Sequence, residues 1–282
     1  MTLSTITNQN KITNASTDEQ VIFMWLSDKS KSTVKTYQRN LKQFFNYCEL
    51  NISSVKLENL IDYKQFLIDS GFKPNTVNNK LMTIKSLLSF SHKIGYLRFN
   101  VGLVVKGLRD KETINQKILR EDEIRKLIDT CKKDREKLLI RLMVNCGLRI
   151  SEVINLKWED LSNEKLTVFG KGNKTRFVKI RLELVEQLKT LRTNSEYIFS
   201  SNRGTPLKRE NVHTKLKEIL RRGGLNESIS CHWMRHSFAS HSLNNGATIK
   251  QVQEVLGHQN LNTTSRYLHT LNEDSGTDFV NF

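Results

Sequence analysis

The sequence predicts a mainly α chain in two parts: a four-helix N-terminal domain, then a mixed α+β domain with a small antiparallel sheet. Three observations carry this. Apolar residues recur at helical spacing through Val34, Tyr37, Leu41, Phe44, Phe45 and Cys48, and again through Val77, Leu81, Ile84, Leu87 and Leu88. Two short runs, Leu166 to Phe169 and Arg176 to Ile180, flank the Gly170–Lys174 loop and read as a hairpin. Between the two parts, Val101 to Gln116 shows no sustained period. A chain of 282 residues has room for two modest domains.

Residues 1–16 are rich in Thr, Asn and Ser and are expected to be a flexible arm. Thr17 and Gln20 then form a capping box, which opens the first helix. The second helix carries the Val34 stripe, with Lys31, Lys35, Arg39 and Lys42 off it. Leu57 to Ile68 reads as the third. Pro74 opens the fourth, which Gly95 closes, with Lys80, Lys85 and Lys93 opposite its stripe. These helices define a domain over 17–105, and 106–117 reads as the linker. About ten extended residues reach roughly 33 Å.

The second domain, 118–282, begins with Glu121, Asp122 and Glu123, acids that suit a helix N-terminus. Leu138 to Val144 is apolar nearly all round and predicts a buried helix ending at Gly147. After the hairpin, helices are predicted over Leu182 to Leu191, Lys208 to Arg221 and His232 to Asn244. A short strand is predicted at Tyr197 to Phe199. Thr248 and Gln251 form a second capping box, and a last helix carries Tyr267.

Lys and Arg number 45 against 29 Asp and Glu, a net charge of +16. That excess attracts polyanions, nucleic acid first. No apolar run approaches the roughly 20 residues of a membrane span. The polar first residues lack the apolar centre of a secretory signal, so a cytoplasmic protein is expected. The four cysteines, Cys48, Cys131, Cys146 and Cys231, include no C-x-x-C pair, which predicts reduced thiols. Cys231, His232, His236 and His241 lack the spacing of a zinc site, and the glycines around Lys171 do not form a P-loop. No metal or other cofactor is expected.

Metal-free cleavage of a phosphodiester needs cationic donors for the developing charge, a nucleophile, and groups that move protons. Arginine suits the first task because its fork matches phosphate oxygens. The second half offers Arg149, Lys171, His232, Arg235, His258 and Tyr267. His232 and Arg235, three apart, share a helix face. Glu152 follows Arg149 by three and is placed to hold it. Lys171 sits at the hairpin tip. His236, His241 and His269 read as polar packing residues, and Trp158 and Trp233 as core. Lys31, Lys35, Arg39, Lys42, Lys80, Lys85, Lys174 and Arg176 are the candidates for binding nucleic acid.

Five stretches resemble the successive motifs of the tyrosine recombinases, the phage-integrase family: Gly147–Glu152, Gly170–Arg176, His232–His236, Leu256–His258 and Thr263–His269. The match covers 118–269, in the family's order. The N-terminal helices resemble, more weakly, that family's SAM-like core-binding domain. The resemblance implies that Arg149 and Arg235 clamp the scissile phosphate and that Lys171 protonates the 5′-oxygen. It implies that His232 and His258 assist, that Glu152 supports the site, and that Tyr267 forms a 3′-phosphotyrosyl link. The implied partner is double-stranded DNA with an inverted-repeat core site. Four protomers, alike or paired with a paralogue, would exchange strands through a Holliday junction, with or without an accessory protein. The compact two-domain plan resembles bacterial chromosome-dimer resolvases and small plasmid or phage integrases, and no separate arm-binding domain is expected. Phe279, Val280 and Phe282 are apolar enough to pack on a neighbouring protomer. A type IB topoisomerase-like enzyme and a non-catalytic repressor are the competing readings.

Overall fold

The computed structural model describes residues 12–109, 115–170, 174–258, 264, 265 and 267. The chain divides into two compact units between Lys111 and Glu112.

The first unit holds α1 (Asp18–Leu26), α2 (Lys31–Cys48), α3 (Leu57–Asp69) and α4 (Pro74–Lys93). Thr17 and Gln20 cap α1 as their spacing predicts, and Pro74 occupies the first turn of α4. The other three helices all pack on α4. Val21, Phe44, Leu60, Tyr63, Val77, Leu81, Ile84 and Leu87 form the core. Phe44 meets Tyr63 edge-on with ring centroids 5.0 Å apart.

The centrality of α4 overturns two expectations. Lys80 is buried, hydrogen-bonded to Gln43 and 5.1 Å from the Phe72 ring centroid. Lys85 donates to the Val105 carbonyl at 2.6 Å. A helix enclosed by three others leaves little outer face, so both lysines serve the fold. By contrast Lys31, Lys35, Arg39 and Lys42 are exposed on α2.

The same contacts extend the unit past its expected boundaries. Val105 is buried, and Asn78 bonds both the N–H and the carbonyl of Leu108, at 2.7 and 2.9 Å. The start expected for the linker at residue 106 is therefore part of this unit. At the other end, the Ile12 N–H reaches the Ile94 carbonyl at 3.3 Å and Ala15 packs on the core. Of the expected arm, residues 12–16 are thus fastened, and 1–11 lie outside the described residues.

The second unit is built on α6 (Asp134–Cys146), buried on most sides and packed against α10 (Cys231–Asn244). Around them lie α5 (Glu121–Asp129), α7 (Ile150–Val153), α8 (Leu182–Lys189), α9 (Arg209–Arg222) and α11 (Ile249–Leu256). The antiparallel sheet runs β1 (Leu161–Ser162), β2 (Lys165–Phe169), β3 (Thr175–Lys179), with Leu166 opposite Val178 and Phe169 opposite Thr175. Its third strand is β1, not Tyr197–Phe199. The latter makes single bridges only, because Ile198 and Glu196 bond the irregular chain at Leu156 and Trp158. Cys146 and Cys231 are buried, Cys48 and Cys131 half-buried, and all four are free thiols. His241 bonds the Leu119 carbonyl at 2.8 Å, and Trp158 and Trp233 pack against the core. Among the described residues, no helix is long and apolar enough to cross a membrane.

Gly147 ends α6 with φ +60°, and a Cβ there would lie 2.5 Å from Phe238 and 2.8 Å from Leu256. Gly246 has φ +88° but open space around it. Gly246→Ala should therefore cost only the backbone term, about 1–2 kcal/mol. Gly147→Ala should cost about 1–3 kcal/mol more, from overpacking. Urea denaturation of both variants checks this, and equal losses would contradict it.

Candidate active site

The site begins where α6 stops. Gly147 turns the chain, and Arg149 becomes the residue that opens α7. Glu152, three residues on, accepts the Arg149 backbone N–H at 2.8 Å and its Nη1 at 2.8 Å. From β3, Arg176 reaches the same carboxylate with both terminal nitrogens, at 2.9 and 2.8 Å. Burial alone would raise the Glu152 pKa. The hydrogen bonds from Arg176 and Arg149 outweigh it and hold the carboxyl below its ordinary value.

A second anchor is the C-terminal end of α11, where unpaired carbonyls carry partial negative charge. Val255 accepts Arg176 Nε at 2.6 Å. Leu256 accepts Arg235 Nη2 at 2.5 Å and Arg149 Nη1 at 3.4 Å. Arg235, from α10, also donates to the Gly147 carbonyl at 2.6 Å. Gly257 closes α11 with φ +63°, and a Cβ there would lie 3.1 Å from Arg176. Three guanidiniums thus converge around one carboxylate. Arg235 is 5% exposed and bonded here to neutral carbonyls. Burial and the Arg149 charge push its pKa down to about 9, so it stays charged at neutral pH. The cluster carries net positive charge that an anion would balance.

Tyr267 is 3% exposed and packs with Ala239, Leu243, Val252 and Leu256, the residue whose carbonyl holds two of the arginines. Its hydroxyl lies 2.6 Å from His236 Nδ1. Its backbone N–H donates to the Thr264 carbonyl at 3.0 Å, and Thr264 Oγ1 lies 2.9 Å from His258 Nδ1. His258 therefore fixes the turn that presents the tyrosine. Burial, then the site arginines, push His258 down to about 4. Burial, then His232, Lys117 and Arg235, push His236 down to about 4. His232 lies one turn before His236 with its outer edge in solvent. Partial burial, then Arg209 and Arg235, lower its pKa as well.

Arg149, Glu152, Arg235, His258 and Tyr267 are thus brought together, with His232 on the same helix as Arg235. Lys171 lies outside the described residues, as do His269, Phe279, Val280 and Phe282. Lys174 is exposed beside the hairpin loop. Arg176, expected among the nucleic-acid ligands, is turned inward, because Glu152 and Val255 occupy its donors. Sequence reasoning also missed His236, set aside as packing. The signal was available: His232, Arg235 and His236 lie at i, i+3 and i+4, one face of α10. Among the described residues, no three His, Cys, Asp or Glu side chains gather as metal ligands.

The phage integrase family matches residues 117–274. Tyrosine recombinase XerC of Staphylococcus carnosus is 31% identical over 272 residues, covering 89% of this chain and 91% of that protein. Tyrosine recombinase XerD of Rickettsia bellii is 32% identical over 286 residues, covering 89% and 92%. A lambda integrase, solved as a tetramer bound to a Holliday junction, shares the fold with a TM-score of 0.72 at 18% identity. That likeness covers 90% of this chain and 80% of the integrase.

The titrations give two neighbouring pH windows, both on the acid side. Glu152 has a lowered folded pKa, so its contribution is complete above about pH 4.5 and is lost as pH falls through the folded value. His236 and His258 drop from 6.5 to about 4, so their contribution is complete above about pH 6.5 and is lost down to 4. DNA-free protein should therefore lose urea resistance between pH 6.5 and 4, and His258→Asn should flatten that slope. Glu152→Gln should cost about 3 kcal/mol at pH 7 but lose less below pH 4.5. Slopes identical to wild type would contradict both.

Proposed function

The chain belongs to the phage integrase family of tyrosine recombinases, DNA strand transferases, and on that premise we propose how its own residues recombine DNA. Arg149 and Arg235 hold the scissile phosphate. Tyr267 attacks it, giving a 3′-phosphotyrosyl bond and a free 5′-hydroxyl, with Lys171 as proton donor to the 5′-oxygen. His232 and His258 contact the phosphate and assist proton movement. Because the phosphotyrosyl bond keeps the energy of the broken one, the reverse attack reseals DNA without a nucleotide. The observation that carries this reading is that Arg149 and Arg235 both donate to the carbonyl of Leu256, a residue of the apolar cluster that holds Tyr267, while Glu152 orients Arg149. Donors fixed before the substrate arrives need no reorganisation as charge develops.

Lys31, Lys35, Arg39, Lys42 and Lys174 are the backbone-binding cations in this scheme. All are exposed, as phosphate contacts require. The substrate is duplex DNA with an inverted-repeat core, acted on in the cytoplasm by four protomers of one or two kinds. A cavity of about 390 Å³ between α6 and α9 supports exchange between protomers. Leu139, Met143 and Leu216 line it together with three cations, Arg135, Arg203 and Lys215, and one acid, Glu136. The tail of a second copy has matching chemistry: Glu273, Asp274 and Asp278, then Phe279, Val280 and Phe282.

Tyr267→Phe should abolish covalent protein–DNA adducts on a nicked suicide substrate while leaving DNA affinity within about twofold. A wild type that forms no adduct on its cognate site would defeat the enzyme reading. Between 50 and 200 mM salt, affinity should fall on the order of 10³-fold, as for six or more phosphate contacts. Each Ala substitution at Lys31, Lys35 or Lys42 should lower the salt slope by about 1. Removing residues 273–282 should spare single-site cleavage but reduce junctions between two duplexes, and unchanged junction yield would exclude the tail.

A further inference from the structure

Attack by a phenol on phosphorus requires the phenolic proton to leave. At a pKa near 10, free ionisation at pH 7 costs about 4 kcal/mol. A base in contact with the hydroxyl avoids most of that cost. Lys171, as proton donor, acts on the other oxygen. His258 commits its Nδ1 to Thr264, and His232 stands a turn away at the solvent edge.

Resting on the assignment of Tyr267 as nucleophile, we propose that His236 is its general base in cleavage and its general acid in resealing. Its Nδ1 lies 2.6 Å from the Tyr267 hydroxyl, within the range for proton transfer. The ring is half-buried on α10, next in the chain to Arg235, so its position is fixed with the phosphate clamp. In cleavage the Tyr267 Oη–P bond forms, and the phenolic proton passes to His236 Nδ1. The P–O5′ bond breaks, and the 5′-oxygen takes a proton from Lys171. In resealing the 5′-hydroxyl returns its proton, and His236 returns its own to the departing phenoxide. Protons and charge balance over the cycle.

The groups facing His236 make this base dependent on substrate. His232 and Arg235 lie on its own helix, Lys117 on the turn before α5, His258 beyond α11, and Tyr267 against its Nδ1. Burial, His232, Lys117 and Arg235 keep the imidazole neutral, and its tautomer with the proton on Nε2 accepts the phenol's hydrogen bond at Nδ1. A phosphodiester seated at Arg149 and Arg235 brings a negative charge into the same field. That charge offsets Arg235 and raises the basicity of His236 when the proton must move.

The test is the single-turnover rate of adduct formation from pH 6 to 9.5, for wild type and His236→Asn, with DNA affinity measured alongside. Asparagine keeps a hydrogen-bonding group and loses the titration. The variant should be about 10²- to 10⁴-fold slower at pH 7. Its rate should rise about tenfold per pH unit, as ionised tyrosine accumulates, and the gap to wild type should narrow. A gap constant with pH would make His236 a positioning residue only and overturn the proposal. A variant faster than wild type would make the contact a restraint on Tyr267 and overturn it too. A substrate with sulfur at the bridging 5′ position needs no proton on its leaving group, so the gap should persist, and its closure would place His236 at the leaving group instead. Independently of cleavage, 3-fluorotyrosine at 267 should show a ¹⁹F-detected ionisation that shifts in His236→Asn, and an unmoved titration would remove the contact. Absence of adduct from wild type defeats the nucleophile assignment, whereas these other failures defeat His236 alone.

Discussion

The structure of the second unit depends on one electrostatic problem: keeping three guanidiniums close together and largely out of water. Unpaired, each would lose hydration that nothing replaced. Glu152 takes two of them, and the last carbonyls of α11 take part of all three. The solution draws five elements to one point: the end of α6, then α7, β3, α10 and α11. Arg176 is the member that gives up substrate access to make this work. Its Nε and both Nη atoms donate to Val255 and Glu152, so Glu152 remains ionised and Arg149 remains oriented. Gly147 and Gly257 are required at the same point, because a side chain at either would press on Phe238, Leu256 or Arg176.

Tyr267 is placed by the far side of this arrangement. It shares an apolar cluster with Leu256, and its segment is tied to His258, the second residue after that carbonyl. Reactive group and anion clamp are therefore referenced to one short stretch, 255–258. A shift of α11 would move the three arginines and the tyrosine together. That coupling protects the in-line geometry a phosphoryl transfer needs, where displacements near 1 Å are costly.

The local grammar of the chain was readable because caps and periodicity act over four or five residues. Thr17, Pro74, Gly147 and Thr248 mark their helix ends from sequence alone. The α2 stripe and the hairpin of β2 and β3 follow from spacing in the same way. What escaped depends on what packs against a residue from elsewhere. Lys80 and Lys85 fall opposite the α4 stripe, yet α4 is covered on several sides, and only the three-dimensional contacts reveal that. Arg176 carries the same charge as Lys174, two residues away. Lys174 precedes β3 and is exposed, whereas Arg176 stands within the strand, where Glu152 can take its guanidinium. The Tyr197–Phe199 run has strand composition, but its neighbour is an irregular segment that offers no ladder. His236 needed the turn at Thr264 to bring Tyr267 back onto α10, a closure over 31 residues.

The basic residues therefore divide into two physical classes that net charge cannot separate. Those on α2 are solvated, and in the proposed scheme they act through the ionic atmosphere of DNA, so that their contribution varies with salt and little with geometry. Arg149 and Arg235 have already exchanged water for Glu152 and backbone carbonyls during folding. A phosphate meeting them displaces little further water and encounters donors whose directions are set. In the proposed reaction their effect is concentrated on a pentacoordinate phosphorus, which carries more negative charge than the ground-state diester. The desolvation that weakens the arginine's own ionisation, pulling Arg235 down to about 9, is what makes its attraction for that added charge strong. On the proposed roles, affinity and rate therefore reside in different arginines and lysines, and one should be alterable while the other is held.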